Sequence, residues 1–135
     1  MNLNDLFNHP AFLRRVLAVD AIGGIGMGLL IAATAPALSG LTRLPVALLY
    51  GAAAILLPLG AFIAWLARHP ALPRAAVWGV IAINVIWVIE SVAVLLLGWV
   101  QPTVVGHAFV LAQAAFVALL AELEYIGLRR LPAQA

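Results

Sequence analysis

Five side chains able to do chemistry stand inside long apolar runs, at Asp20, Asn84, Glu90, His107 and Gln113. A charged Asp at the centre of a bilayer costs about 2.5–3.5 kcal/mol on insertion scales, so such groups face protein, water or one another. Glu90 is the most conspicuous, a single acid in "VIWVIESVAVLLLGW", residues 85–99. At 1.5 Å rise per residue, Glu90 lies about 3 Å from the middle of a helix centred near Val88, and Gln113 lies at about the same level in the following run. The pair Glu90–Gln113 is therefore the expected intramembrane proton or ligand site. A protonated Glu90 would donate to the amide carbonyl while the amide NH₂ donates back. The competing reading is interhelical glue, for which measured couplings average about 0.6 kcal/mol.

The remaining polar residues are expected to support that pair or to pack helices. Asn84, Ser91 and Gly98 recur at i+7, a spacing that drifts only about 20° per step and marks close packing by small and polar residues. Trp87 sits at mid-depth and is expected to pack. In "DAIGGIGMG", residues 20–28, Asp20, Gly24, Met27 and Gly28 share one face. Gly24 and Gly28 make a small-xxx-small pair suited to close helix approach, and this face is the expected oligomer or partner surface. The same glycines imitate a dinucleotide-binding fingerprint, but the apolar run around them leaves no place for its strand and loop. Asp20 is expected to lean toward Arg14, Arg15 or the headgroups. His107 is read as an unliganded residue near the end of its span, because no second histidine stands at its depth for a haem. Glu122 and Glu124 are read as a solvated helix end.

No nucleophile–base–orienter set, metal-ligand cluster or phosphate-binding loop is present in the sequence, so no catalytic residue, metal or cofactor is assigned and a non-enzymatic protein is expected. The chain lacks Cys, which removes disulfides and thiolate chemistry.

The elements that must position these residues are legible from hydropathy. The 135 residues are 66% hydrophobic and 9% charged, whereas soluble domains carry about 25% charged residues. Four runs are long enough to cross about 30 Å of hydrocarbon, at about 16–38, 45–67, 75–99 and 103–128. They are separated by "SGLTRLP", "RHPALPR" and "VQPT", where proline and glycine end helices. Pro58 falls inside the second run and should kink it near Ala54. Short loops make consecutive helices antiparallel, so the expected fold is all-α, an up-down-up-down bundle of four transmembrane helices forming a single membrane domain. Residues 1–13 read as an interfacial segment, and 129–135 as a cytoplasmic tail. Arg15 and Arg74 open halves of similar span–loop–span layout, a hint of a tandem repeat.

All seven basic residues are Arg, which with the Ala, Leu and Val content points to a bacterial source. Six of them (Arg14, Arg15, Arg68, Arg74, Arg129 and Arg130) flank the same side and only Arg43 the other. By the positive-inside rule this places both termini in the cytoplasm, in a bacterial inner membrane. Trp65, Trp78 and Tyr125 mark the inner interface and Trp99 the outer one. The net charge of +2 is explained by this topology and gives no reason to expect nucleic acid.

The four-span layout with a buried Glu resembles the small multidrug resistance transporters. Their essential Glu lies in the first span, where this chain has Asp20, so no site residue transfers. The layout is also similar to small four-helix bacterial proteins of the DoxX-like kind, a likeness of hydropathy that implies no residue roles. Three functions are expected in order. The first is an accessory or partner-binding subunit, in contact with the bilayer and with a homodimer mate or another membrane protein. The second is a dimeric proton-coupled carrier of a small amphipathic or cationic substrate, using Glu90 with Pro58 as flexing point. The third is quinone or lipid binding beside Trp87.

Overall fold

The computed structural model describes residues 2–9 and 11–131. Among these, a short helix α1 (Leu3–Asn8) precedes four long ones: α2 (Phe12–Thr42), α3 (Val46–Arg68), α4 (Arg74–Leu96) and α5 (Val104–Arg129). All four long helices are long and apolar enough to cross a membrane. The bundle is all-α and antiparallel, with one long helix over each run read from hydropathy; α2 extends four residues beyond the run 16–38 at each end, so that Phe12 and Leu13 of the expected interfacial segment are buried in its first turn. Position 1 and position 10 of the expected interfacial segment, and 132–135 of the expected tail, lie outside the described residues.

Local chemistry sets the boundaries. Pro45 and Pro73 stand just before α3 and α4, where a missing N–H costs nothing. Thr103 caps α5 by accepting from Gly106 N at 3.1 Å. Gly98, with φ of +72°, follows the last turn of α4 in the left-handed conformation that terminates helices. This corrects the stripe of Asn84, Ser91 and Gly98: Gly98 lies beyond α4 and ends it. Both α2 and α3 continue through internal prolines, Pro36 and Pro58. With 31 residues, α2 is about 46 Å long and must project from or tilt within a hydrocarbon layer of about 30 Å.

Arginines at the end that carries the termini clamp the helices in pairs. From the first turn of α2, Arg14 Nη1 donates to the carbonyls of Ala67 (3.1 Å) and His69 (2.6 Å) and its Nη2 to Pro70 (2.9 Å). From the first residue of α4, Arg74 Nη1 donates to Leu128 O at 3.1 Å. Each guanidinium thus meets carbonyls at the negative dipole end of the next helix. The two halves repeat this device, with Arg14 rather than Arg15 as the counterpart of Arg74. At the opposite end Thr103 N donates to Thr42 O at 3.0 Å and Thr103 Oγ1 to Leu41 O at 2.9 Å, tying α2 to α5.

Lateral packing is unequal. The α2–α3 pair is the most intimate, α4 packs on α5, and α5 packs on α2, but α3 and α4 make no comparable approach. The bundle is a four-membered ring with one side left open. Near the termini the gap is filled by a core of Leu13, Leu17, Ile63, Leu66, Val77 and Val80. Toward the other end the core is built around Ile31, Ala35, Leu49, Ala53 and Val110, which come from α2, α3 and α5. Outward faces carry exposed Ile22, Leu29, Ile89 and Leu119, as a bilayer solvent requires.

The small-residue face of α2 lies inside this ring. Gly24 faces Leu56 and Gly60 of α3, and a Cβ at Gly28 would stand 2.9 Å from Leu57 Cδ2. Gly28 and Asp20 are buried. The expectation that Asp20, Gly24 and Gly28 form an intermolecular surface is therefore corrected: the glycines let α3 approach α2 within one chain. Gly60 is the reciprocal small residue, since a Cβ there would meet Ile25 Cγ1 at 2.6 Å and Ala21 O at 3.2 Å. Gly60→Ala should destabilise the protein by about 1–3 kcal/mol through overpacking, measured by denaturant or thermal unfolding in micelles. Gly79→Ala, whose Cβ would meet nothing within 4 Å, should cause no loss.

Candidate functional site

Three of the long helices each contribute one polar residue to a buried trio. Asn84 Nδ2, from α4, donates to Asp20 Oδ2 of α2 and to Glu124 Oε1 of α5, both at 2.8 Å. Exposure is 7% for Asp20, 5% for Asn84 and 0% for Glu124. One amide nitrogen thus spends both its hydrogens on two carboxyl groups from different helices. Glu124 Oε2 is buried and has no hydrogen-bond partner among the described residues, a costly state for a polar atom in an apolar interior.

Two expectations are corrected here. Asp20 does not reach Arg14 or Arg15: the Arg14 guanidinium is occupied by the backbone of α3 and the loop after it, and Arg15 is exposed. Glu124 is not a solvated helix end, because α2 and α4 close over that face of α5. Only Glu122, two positions away, is exposed.

A second polar group lies farther along α4 and α5. Trp87 Nε1 donates to Gln113 Oε1 at 2.8 Å, while Gln113 Nε2 donates to Ser91 Oγ at 3.1 Å and Val110 O at 2.8 Å. Ser91 Oγ in turn donates to Trp87 O at 2.7 Å. The predicted Glu90–Gln113 pair is not formed. Its two members do stand on neighbouring antiparallel helices, but they point in different directions. Asn84, Trp87 and Ser91, spaced i, i+3, i+7, make one face of α4 directed at α5. Glu90 is turned about 100° from Ser91; it is exposed and has no hydrogen bond among the described residues.

Both polar groups border one cavity of about 670 Å³, to which α2, α3, α4 and α5 all contribute. Its volume falls within the range of small-molecule sites. It follows from the open side of the ring, where α3 and α4 do not close. The wall is mainly Leu, Ile, Val, Phe, Ala and Gly, with Asp20, Asn84, Trp87, Glu90, Ser91 and Gln113 as its polar residues. Glu90 and Gln113 thus share a cavity, though not a hydrogen bond. Asp20 and Glu90 are the acids on the wall, and no Arg, Lys or His lines it among the described residues.

His107 stands apart from the cavity, exposed on the first turn of α5 with Nδ1 3.1 Å from Thr103 O. Among the described residues no group of three or more His, Cys, Asp or Glu could hold a metal ion. The trio escaped sequence reasoning because its members come from three separate helices. One signal pointed to Glu124: it lies i+11 from Gln113, on the same face of α5.

Fold and site together define a polytopic α-helical membrane protein with a laterally open cavity and a buried carboxyl–amide–carboxyl trio. No protein-family model, curated protein or solved structure matches the chain.

The trio has a stability consequence. Asn84→Leu removes the amide donor that the two carboxyl groups share, at about 1–3 kcal/mol for each group left unsatisfied. Adding Asp20→Leu and Glu124→Leu should recover most of that loss, because removing every partner leaves nothing unpaired. Unfolding titrations of the single and triple variants in micelles would test this coupling; equal stability of the two would refute it.

Proposed function

We propose that this protein is a non-enzymatic binding protein of the bacterial inner membrane that takes a small amphipathic molecule from the bilayer into its cavity between α3 and α4. The observation that carries the reading is the cavity itself, about 670 Å³, mainly apolar, and bordered by two polar groups. An apolar wall accepts a hydrophobic body, and a few convergent polar groups fix the orientation of a polar head. The small-residue surface expected to bind a partner protein is used up in α2–α3 packing, which lowers the rank of the accessory-subunit reading. Ser91, the one hydroxyl on the wall among the described residues, donates to Trp87 O and accepts from Gln113, in keeping with binding rather than nucleophilic chemistry.

Arginine placement supports the orientation. Arg14, Arg15, Arg68, Arg74, Arg129 and Arg130 lie at helix ends on the side that carries the termini, with Arg43 at the other. With the termini cytoplasmic, the cavity extends from Asp20 toward the outer leaflet.

Trp87 on the wall provides the test. In a variant carrying Trp65→Phe, Trp78→Phe and Trp99→Phe, held in phosphatidylcholine nanodiscs, an ω-brominated undecanol should quench Trp87 fluorescence saturably. Gly51 lines the cavity, and a Cβ there meets nothing within 4 Å. Gly51→Phe should therefore narrow the cavity without straining the helix, and weaken the saturable component of the quenching. Saturable quenching left unchanged by Gly51→Phe would place binding elsewhere.

A further inference from the structure

Resting on the binding reading above, we infer that the cavity selects an amphipathic organic cation, an alkyl or aryl amine whose protonated head docks at Asp20 and Asn84 while its apolar body lies along α3 and α5. A census of hydrogen-bonding groups on the wall carries the inference. Both amide hydrogens of Asn84 are committed to Asp20 and Glu124. The Trp87 indole N–H is committed to Gln113, the Gln113 amide to Ser91 and Val110 O, and the Ser91 hydroxyl to Trp87 O. Every amide, indole and hydroxyl donor of the wall side chains is thus satisfied from within the protein. What the wall offers a ligand is acceptor oxygen, above all the carboxyl groups of Asp20 and Glu90.

This pattern discriminates among heads. A quinone carbonyl, a carboxylate or a phosphate needs donors, and each would have to break an internal bond to obtain one. An ammonium brings up to three donors and no acceptor, and its charge opposes the two acids. No basic residue of the cavity wall competes for those acids among the described residues. Charge-assisted bonds to a carboxylate in a site screened from water are roughly twice as strong as neutral ones. Position assigns the acids different parts. Asp20 is buried beside Asn84 and holds the head, whereas Glu90 is exposed on the flank of α4 and meets the cation on its way in.

Three probes of equal tail length test the inference in the same single-tryptophan protein: ω-brominated undecylamine, undecanol and undecanoate. The amine should saturate the Trp87 quenching at a concentration about tenfold or more below the alcohol, the ratio expected for one charge-assisted bond. The carboxylate should show no saturable component. Asp20→Asn should bring the amine to the level of the alcohol while alcohol binding persists, and Glu90→Gln should weaken the amine less. Equal affinity for amine and alcohol in the wild-type cavity would overturn the cation inference and leave the binding reading standing. No saturable quenching by any probe would overturn both. Should Asp20→Asn fail to fold, the comparison of three probes on the wild type, with Glu90→Gln, decides the matter.

Discussion

Asn84 ties α4 to two other helices at once. That helix packs most closely on α5; it meets α2 through the bond from the Asn84 amide to Asp20 and through the core near the termini, where Val77 and Val80 lie with Leu13 and Leu17. In hydrocarbon, packing helices gains little from the hydrophobic effect, because lipid tails are as apolar as Leu. The positions of helices are then set by close contact between small residues and by hydrogen bonds that have no alternative partner. Here the first mechanism joins α2 to α3, through Gly24, Gly28 and Gly60. The second joins α4 to α2 and α5, through one amide shared by two carboxyl groups, and adds the bonds of Trp87 and Ser91 with Gln113.

That division of labour explains the open side. If the halves were equivalent, α3 would meet α4 as α5 meets α2. The arginine clamps are indeed repeated, Arg14 on the end of α3 and Arg74 on the end of α5. The glycine-lined contact is not repeated. Near the termini Leu66 and Val77 close the space between α3 and α4. Farther along, small residues such as Gly51 and Ala52 on α3 leave room that no side chain fills. The cavity is the missing fourth contact of the ring, and the polar trio stands at its end because Asn84 must reach inward to hold α4.

Burial of Asp20 and Glu124 follows from the same constraint. Carboxyl groups in a bilayer interior are tolerated when they face protein partners, and one amide with two hydrogens satisfies an oxygen from each. The arrangement leaves Glu124 Oε2 without a hydrogen-bond partner among the described residues and Asp20 at the cavity edge. Polarity is thereby concentrated at one end of an apolar chamber, with the indole of Trp87 and the amide of Gln113 farther along its wall.

Much was determined by the sequence alone. Hydropathy set the number and approximate places of the long helices, because a run of about 20 apolar residues has few other fates. Proline, glycine and threonine set the ends of α3, α4 and α5 through backbone chemistry that needs no tertiary partner. The depth of each polar residue also followed, since helical rise converts position into height. Glu90 and Gln113 were thus placed on neighbouring helices, yet wrongly paired; that they border one cavity emerges only from the structure. What the tertiary structure decided was azimuth and neighbour. Rotation of α4 about its axis turned Asn84, Trp87 and Ser91 to α5 and left Glu90 on the flank. The choice of α3 as partner for the glycines of α2 turned an apparent docking face inward. Asp20, Asn84 and Glu124 lie far apart in the chain, and no local spacing encodes their meeting. It depends on how three helices are rotated and packed together, which height along each helix leaves open.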